Sequence, residues 1–185
     1  MAALSRSTWR RALVLGGIRS GKSGYAEDLA GTGDDVRYVA TARRIPGDDE
    51  WNTRIDTHRA RRPRTWTTAE VGEHPLSLID LVTGAADEDT LLVDDIGTWV
   101  SSVMEITHGP AEVTGVVELL VGAIRGCPAR LVFVSPEVGL SIVPATAEAR
   151  AFADALGLAN HLISGACDRV VLVIAGNAVP VKGGP

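Results

Sequence analysis

The sequence predicts an α/β domain built on a mostly parallel sheet, with helices on both faces and an antiparallel edge strand at the C-terminal end. Three observations carry this. Short apolar, β-branched runs recur at 12–15, 36–40, 90–93, 130–135 and 169–175, separated by longer amphipathic stretches, which is the rhythm of strand, crossover helix and strand. The runs are continuously apolar instead of alternating, as expected of strands whose two faces are both covered. Finally, 170–175, then Gly176-Asn177, then 179–181 read as two short strands joined by a tight turn.

At 185 residues the chain has the size of one domain, read here as 1–185. No internal repeat is visible, and no Pro/Gly/Ser linker is long enough to divide it. Such a chain buries roughly 70% of its unfolded surface and needs no disulfide or metal to hold a core. Apolar residues make up 45% and charged residues 22%, which excludes disordered and disulfide-scaffold classes. Basic residues number 18 against 23 acidic, a formal charge of -5, and this argues against a surface adapted to nucleic acid. Cys127 and Cys167 lie forty positions apart without ligand spacing, so a reduced, cytoplasmic setting is expected, with both thiols buried. The apolar stretch 12–15 breaks at Gly16-Gly17, too short for a signal peptide, and no run reaches membrane-spanning length.

In chain order, the run 12–15 is followed by a glycine-rich loop and a helical stretch over 25–30. After the run 36–40, Gly47-Asp48-Asp49-Glu50 opens a helix through Arg61 that Pro63 stops, acidic at its start and basic at its end. The remainder of 41–91 reads as excursions from the sheet. Over 146–166, Ala149, Phe152, Ala153, Leu156, Asn160 and Ile163 recur at helical steps and predict one packed face, with Asn160 its polar exception.

Gly16-Gly17-Ile18-Arg19-Ser20-Gly21-Lys22-Ser23 fits GxxxxGK[ST] between a strand and a helix, the context in which this pattern is a phosphate-binding loop. Glycines let backbone N–H groups turn inward around phosphate oxygens, and the helix N-terminus adds its positive dipole end. Lys22 would reach the β and γ phosphates and the Ser23 hydroxyl would bind Mg2+. Thr90-Leu91-Leu92-Val93-Asp94-Asp95 is an apolar strand ending in two carboxylates. Asp94 fits either a metal-associated acid or a helix cap, and Asp95 fits the cap better.

On the helix through Arg61 and at its end, Arg54 lies four residues before His58, and Arg61 and Arg62 lie three and four after it, so guanidiniums share a face with an imidazole. Two readings stand side by side: a solvated basic helix face, or arginines gripping a triphosphate while the neutral imidazole attacks phosphorus. A nucleic-acid patch over Arg59–Trp66 is the weaker option, because the flanks are acidic. His74 and His108 read as loop residues and His161 as a helix-surface residue.

These residues together resemble the bifunctional adenosylcobinamide kinase/adenosylcobinamide-phosphate guanylyltransferase family of cobalamin biosynthesis. The resemblance rests on the Gly16–Ser23 loop, on Arg37-Tyr38-Val39-Ala40-Thr41-Ala42, on the series Arg54, Ile55, His58, Arg59, Arg62, Pro63, Trp66, Thr68 and Glu70, and on Leu91-Leu92-Val93-Asp94. It continues in Glu137-Val138-Gly139-Leu140, Ile142-Val143-Pro144, Ala149-Arg150, Phe152, Asp154, Gly157 and Asn160. It implies a RecA-like P-loop NTPase fold and two reactions. A nucleoside triphosphate, ATP or GTP, phosphorylates adenosylcobinamide; GTP then guanylylates a histidine, and GMP passes to adenosylcobinamide phosphate. By position His58 matches the guanylylated histidine. Ala40, Thr41 and Ala42 would border the nucleotide, His58, Arg59, Ala60 and Arg61 would contact it, and Glu70 and Asp94 would face it. A carboxylate at Glu70 would accept the N1–H and N2–H2 donors of guanine. The resemblance also implies a homo-oligomer, a trimer among relatives, and the bulk of a corrinoid beside a domain of this size predicts an open cleft. Pro136, Leu158 and 95–98 depart from the family pattern and bear on corrinoid contacts and on the efficiency of the kinase step. The competing readings are a guanylyl-transfer-only member and a GTP-binding module or small-molecule kinase without covalent guanylyl transfer.

Overall fold

A computed structural model describes residues 9–31, 36–72 and 74–184, with the side chains of Arg54 and Arg61 outside that description. Seven strands, β1 (Arg11–Gly16), β2 (Val36–Ala40), β3 (Thr67–Glu70), β4 (Thr90–Asp94), β5 (Arg130–Pro136), β6 (Arg169–Ile174) and β7 (Asn177–Lys182), form one sheet in the order β3-β2-β4-β5-β1-β6-β7. All pairs are parallel except β6 with β7. The helices are α1 (Lys22–Ala30), α2 (Asp49–Arg61), α3 (Ser77–Thr83), α4 (Ile96–Ile106), α5 (Pro110–Gly126) and α6 (Ala147–Ala166).

The apolar runs are central strands because both of their faces are covered. Leu91, Val93, Leu131 and Phe133 pack under α3 to α6, while Val14, Leu92, Val132 and Val134 pack with Ala26 and Ala30 of α1. Strand β3 was not legible in the sequence: Thr67–Glu70 is an edge strand with no buried residue, so burial selected no apolar run there. The C-terminal hairpin turns at Ala175 and Gly176, one residue earlier than expected. Both have positive φ, 50° and 80°, the pair of values a two-residue primed turn needs. In α6, Leu156, Asn160 and Ile163 are buried as expected and Phe152 and Ala153 half-buried, but Ala149 is exposed and Ala159 completes the face. The first turn follows an exposed loop, 137–146, with little core to pack on.

This topology brings the C-terminal ends of β1, β2, β4 and β5 to one rim. Strand β5 lies between β1 and β4, so the phosphate loop and the acid at the tip of β4 face each other across a single strand's width. Ligands of open parallel sheets bind in such a rim crevice.

Candidate functional site

The loop after β1 owes its shape to backbone constraints. A Cβ at Gly16 would fall 2.8 Å from the Val173 carbonyl oxygen, and Gly21 adopts φ 95°, a value open to glycine and few other residues. The N–H of Gly176 donates to the Ser20 carbonyl at 2.8 Å, so the C-terminal hairpin braces the loop. Helix α1 begins with no capping side chain and no acidic residue in its first turn. By contrast, Asp48, Asp95 and Thr146 cap α2, α4 and α6 through bonds to Trp51, Thr98 and Ala149 N–H. The α1 terminus is thus the one among these whose positive end is left to an anion. Lys22 is buried, its ammonium 3.5 Å from the Gly17 carbonyl.

At the tip of β4 the two carboxylates divide the roles that the sequence left open. Asp95 is the cap, accepting from Thr98 N–H at 2.7 Å. Both border the cleft, and Asp94 accepts from the Tyr38 hydroxyl at 2.9 Å. Burial pushes the Asp94 carboxyl above its ordinary range and Asp95 adds to this, while the Tyr38 bond, Lys22 and Arg62 pull it down. Burial, with Asp94 beside it, also holds the Tyr38 hydroxyl firmly protonated. Thr41 is buried, and its hydroxyl donates to the Asp95 carbonyl and accepts from the Asp95 N–H, both at 2.8 Å. It fixes the acid strand from below and does not line the cleft.

Helix α2 carries His58 over this rim, with Nδ1 3.8 Å from Asp94 Oδ2 and the side chain 29% exposed. That rejects the reading of His58 as part of a wholly solvated face. Arg62, the C-terminal cap residue of α2, lays its guanidinium 3.2 Å from the Tyr38 ring centroid, a cation–π contact. Arg54 and Arg61, expected beside it, lie outside the described side chains. No described residue of α2 is buried. Its start is fastened to the preceding loop: Trp51 Nε1 donates to the Arg43 carbonyl at 2.8 Å, and Asn52 exchanges two bonds with the Ile45 backbone. Arg44 pairs with Asp56.

Two hollows meet here. One, of about 640 Å³, is walled by Arg19 to Gly24 and by Asp48, Trp51 and Thr57. The other, of about 930 Å³, includes Tyr38, Ala40, Ala42, Arg62, Asp94 and α4. Lys22, Ser23, Trp51 and His58 border both. Sequence reasoning thus placed the loop, His58, Ala40, Ala42 and Asp94 together. Gly16, Gly17 and Ile18 belong to the loop without walling either hollow, and Ile18 is exposed. Arg59, Ala60 and Glu70 are exposed and wall neither; Glu70 sits at the rim beside Ala40, its register partner. Tyr38, Arg62 as a stacking group, Phe152 and the α4 wall were missed. Only Tyr38, a phenol in an otherwise apolar strand, carried a local signal.

No three metal-ligating His, Cys, Asp or Glu side chains cluster among the described residues. A cation here would share the Ser23 hydroxyl and the Asp94 carboxylate with phosphate oxygens, an all-oxygen donor set of the kind Mg2+ takes. Cys127 and Cys167 are unpaired and buried, and no helix among the described residues is long and apolar enough to cross a membrane.

A loop of this geometry on β1, with an acid one strand away, defines a P-loop nucleotide-binding protein. Solved structures agree on that fold. An ATPase from a type III secretion system of pathogenic bacteria matches with TM-score 0.53 at 11% identity, over 92% of this chain and 56% of that one. A protein of Pyrococcus horikoshii OT3 matches at 0.51 and 9%, over 94% and 86%. The family model described as cobinamide kinase / cobinamide phosphate guanyltransferase matches residues 12–181, and this chain belongs to that family of bifunctional transferases. It is 39% identical over 177 residues to the bifunctional adenosylcobalamin biosynthesis protein CobP of Pseudomonas aeruginosa, covering 95% of this chain and 99% of the relative. To CobU of Salmonella typhimurium it is 36% identical over 182 residues, covering 92% and 98%.

Proposed function

We propose that this chain phosphorylates adenosylcobinamide and then transfers GMP from GTP to the product through His58. The observation that carries the reading is the position of His58, bordering both hollows with Nδ1 facing a buried carboxylate. Asp94 beside Nδ1 favours the tautomer with its proton there and the lone pair on Nε2. Nε2 attacks the α-phosphorus of GTP, an N–P bond forms, the bond to the β-phosphate oxygen breaks and pyrophosphate leaves. A phosphate oxygen of adenosylcobinamide phosphate then attacks the same phosphorus, and the N–P electron pair returns to the imidazole. Two steps with good leaving groups replace one encounter between two bulky anions.

In both reactions the loop amides and Lys22 hold the triphosphate and neutralise charge that builds on its oxygens. Mg2+, held by Ser23 and Asp94 with the phosphates, would supply further neutralisation. Arg62, braced on Tyr38, adds a cation on the opposite wall. ATP or GTP serves the kinase step. Ala40, Ala42 and His58 border the guanine nucleotide, and Glu70 at the same rim selects the base; Glu70→Gln should narrow the GTP over ATP preference in His58 labelling, and an unchanged ratio removes that role. The setting is the cytoplasm and the assembly a homo-oligomer, a trimer by family resemblance.

The deciding experiment incubates the protein with Mg2+ and GTP labelled at the α phosphate, followed by intact mass. A GMP adduct that is acid-labile, base-stable and absent from His58→Ala is expected. GTP binding without an adduct would leave a kinase or binding module in its place.

A further inference from the structure

The 930 Å³ hollow lies near the top of the range of about 300–1,000 Å³ for small-molecule sites, and its two sides differ in chemistry. Toward the loop lie Lys22 and the uncapped end of α1. The far side is α4, which presents Thr98, Ser101, Ser102 and Glu105 at steps of three and one. They form a polar stripe opposite the fully packed Ile96, Trp99, Val100 and Val103. No lysine or arginine lies on α4. The cations of this hollow, Lys22, Arg43, Arg44 and Arg62, come from other elements, while Glu105 and Asp95 flank the stripe on α4 itself. Its three hydroxyls suit a ligand rich in hydrogen-bond donors and acceptors.

Apolar surface adjoins the stripe: Pro136 and Phe152 complete the same wall. A Cβ on Gly97 would fall 2.8 Å from Pro136 Cγ, so the glycine permits the contact that sets α4 against β5. Pro136 is fixed in turn by Asn160, whose amide donates to its carbonyl at 3.0 Å and accepts from the buried Ser135 hydroxyl at 2.6 Å. The wall is therefore built on the core. Across its mouth Arg43 pairs with Glu105 at 2.8 Å, both side chains substantially exposed. Such a pair contributes little and opens at low cost when a ligand enters.

We infer that the α4 wall, with Pro136 and Phe152, is the subsite for the corrinoid acceptor, its hydroxyls taking the primary amides at the corrin rim and its apolar patch the macrocycle edge. This rests on the transferase reading above, since it places the acceptor phosphate toward His58 and the amide-rich bulk away from the loop.

The test is equilibrium dialysis of adenosylcobinamide against the full chain, read by corrinoid absorbance, with GTP binding measured in parallel. Ser101→Trp fills the wall from an exposed helix position, and the double variant Ser101→Ala/Ser102→Ala removes two hydroxyls without adding bulk. Expected are a tenfold or greater loss of corrinoid affinity in the first and a several-fold loss in the second, with GTP affinity unchanged in both. Corrinoid affinity unchanged in Ser101→Trp, or GTP affinity falling in step with it, overturns the assignment. GMP loading of His58 in the wild type is scored separately: if loading fails while Ser101→Trp still loses the corrinoid, the covalent mechanism falls and the subsite stands.

Discussion

The rim of the sheet and helix α2 would carry the two halves of the proposed chemistry, and they are built in opposite ways. At the rim, Asp94 is held by Tyr38, Asp95 by Thr41, and Pro136 by Asn160, while Glu137 N–H donates to the Gly16 carbonyl at 3.1 Å. These groups stand on strands whose side chains are almost wholly buried. Helix α2 buries none of its described residues and is tied chiefly to the loop before it. The phosphate site is thus preorganised by the same packing that stabilises the fold. The proposed nucleophile, His58, rides on an element whose position adds little to that packing. Activity and stability should therefore separate along this boundary.

The sharpest separation is expected of His58→Ala. Loss of the proposed nucleophile should lower guanylyl transfer by about 10³-fold or more, while the melting temperature stays within about 2 °C, because α2 contributes no described buried residue to the core. A concurrent large drop in melting temperature would show that α2 is part of the core after all.

The converse is Asn160→Leu, on the rim side. It strands the Ser135 hydroxyl in a fully buried site and should cost about 1–3 kcal/mol, read as a lower denaturation midpoint. GMP loading per folded molecule should change far less than in His58→Ala. Next in size is Asn52→Ala, which cuts both ties from α2 to Ile45. A several-fold slower loading with an unchanged midpoint is expected, and hydrogen exchange of α2 amides should quicken while β4 and β5 stay protected.

The smallest effect concerns pH. Burial pushes the Cys167 thiol from about 9 up to about 12. Between those values the unfolded chain has released the proton and the folded chain keeps it, so stability is intact below pH 9 and falls as pH rises towards 12. Thiol alkylation at pH 8 should follow global unfolding and be indifferent to Asn52→Ala. Rapid alkylation of the folded chain would place Cys167 at a mobile boundary and blur the comparison.

The five apolar runs, the loop from Gly16 to Ser23 and the helix from Asp49 to Arg61 were legible in the sequence because each is local. Burial on both faces demands a continuous apolar strand, phosphate binding demands glycines with a lysine at fixed spacing, and the helix carries its own acidic start and proline stop. The terminal hairpin was legible for the same reason, though its turn shifted by one residue, because positive φ at two positions is decided jointly. Only the tertiary structure could decide which strands become neighbours, and so which carboxylate meets Tyr38 and His58 while the other caps α4. The same holds for Tyr38 joining Asp94 across fifty-six residues, Arg62 stacking on Tyr38, and the polar stripe of α4 turning toward His58. Each is a contact between groups remote in sequence, created when the sheet order brings strand ends together, and no local pattern encodes that order.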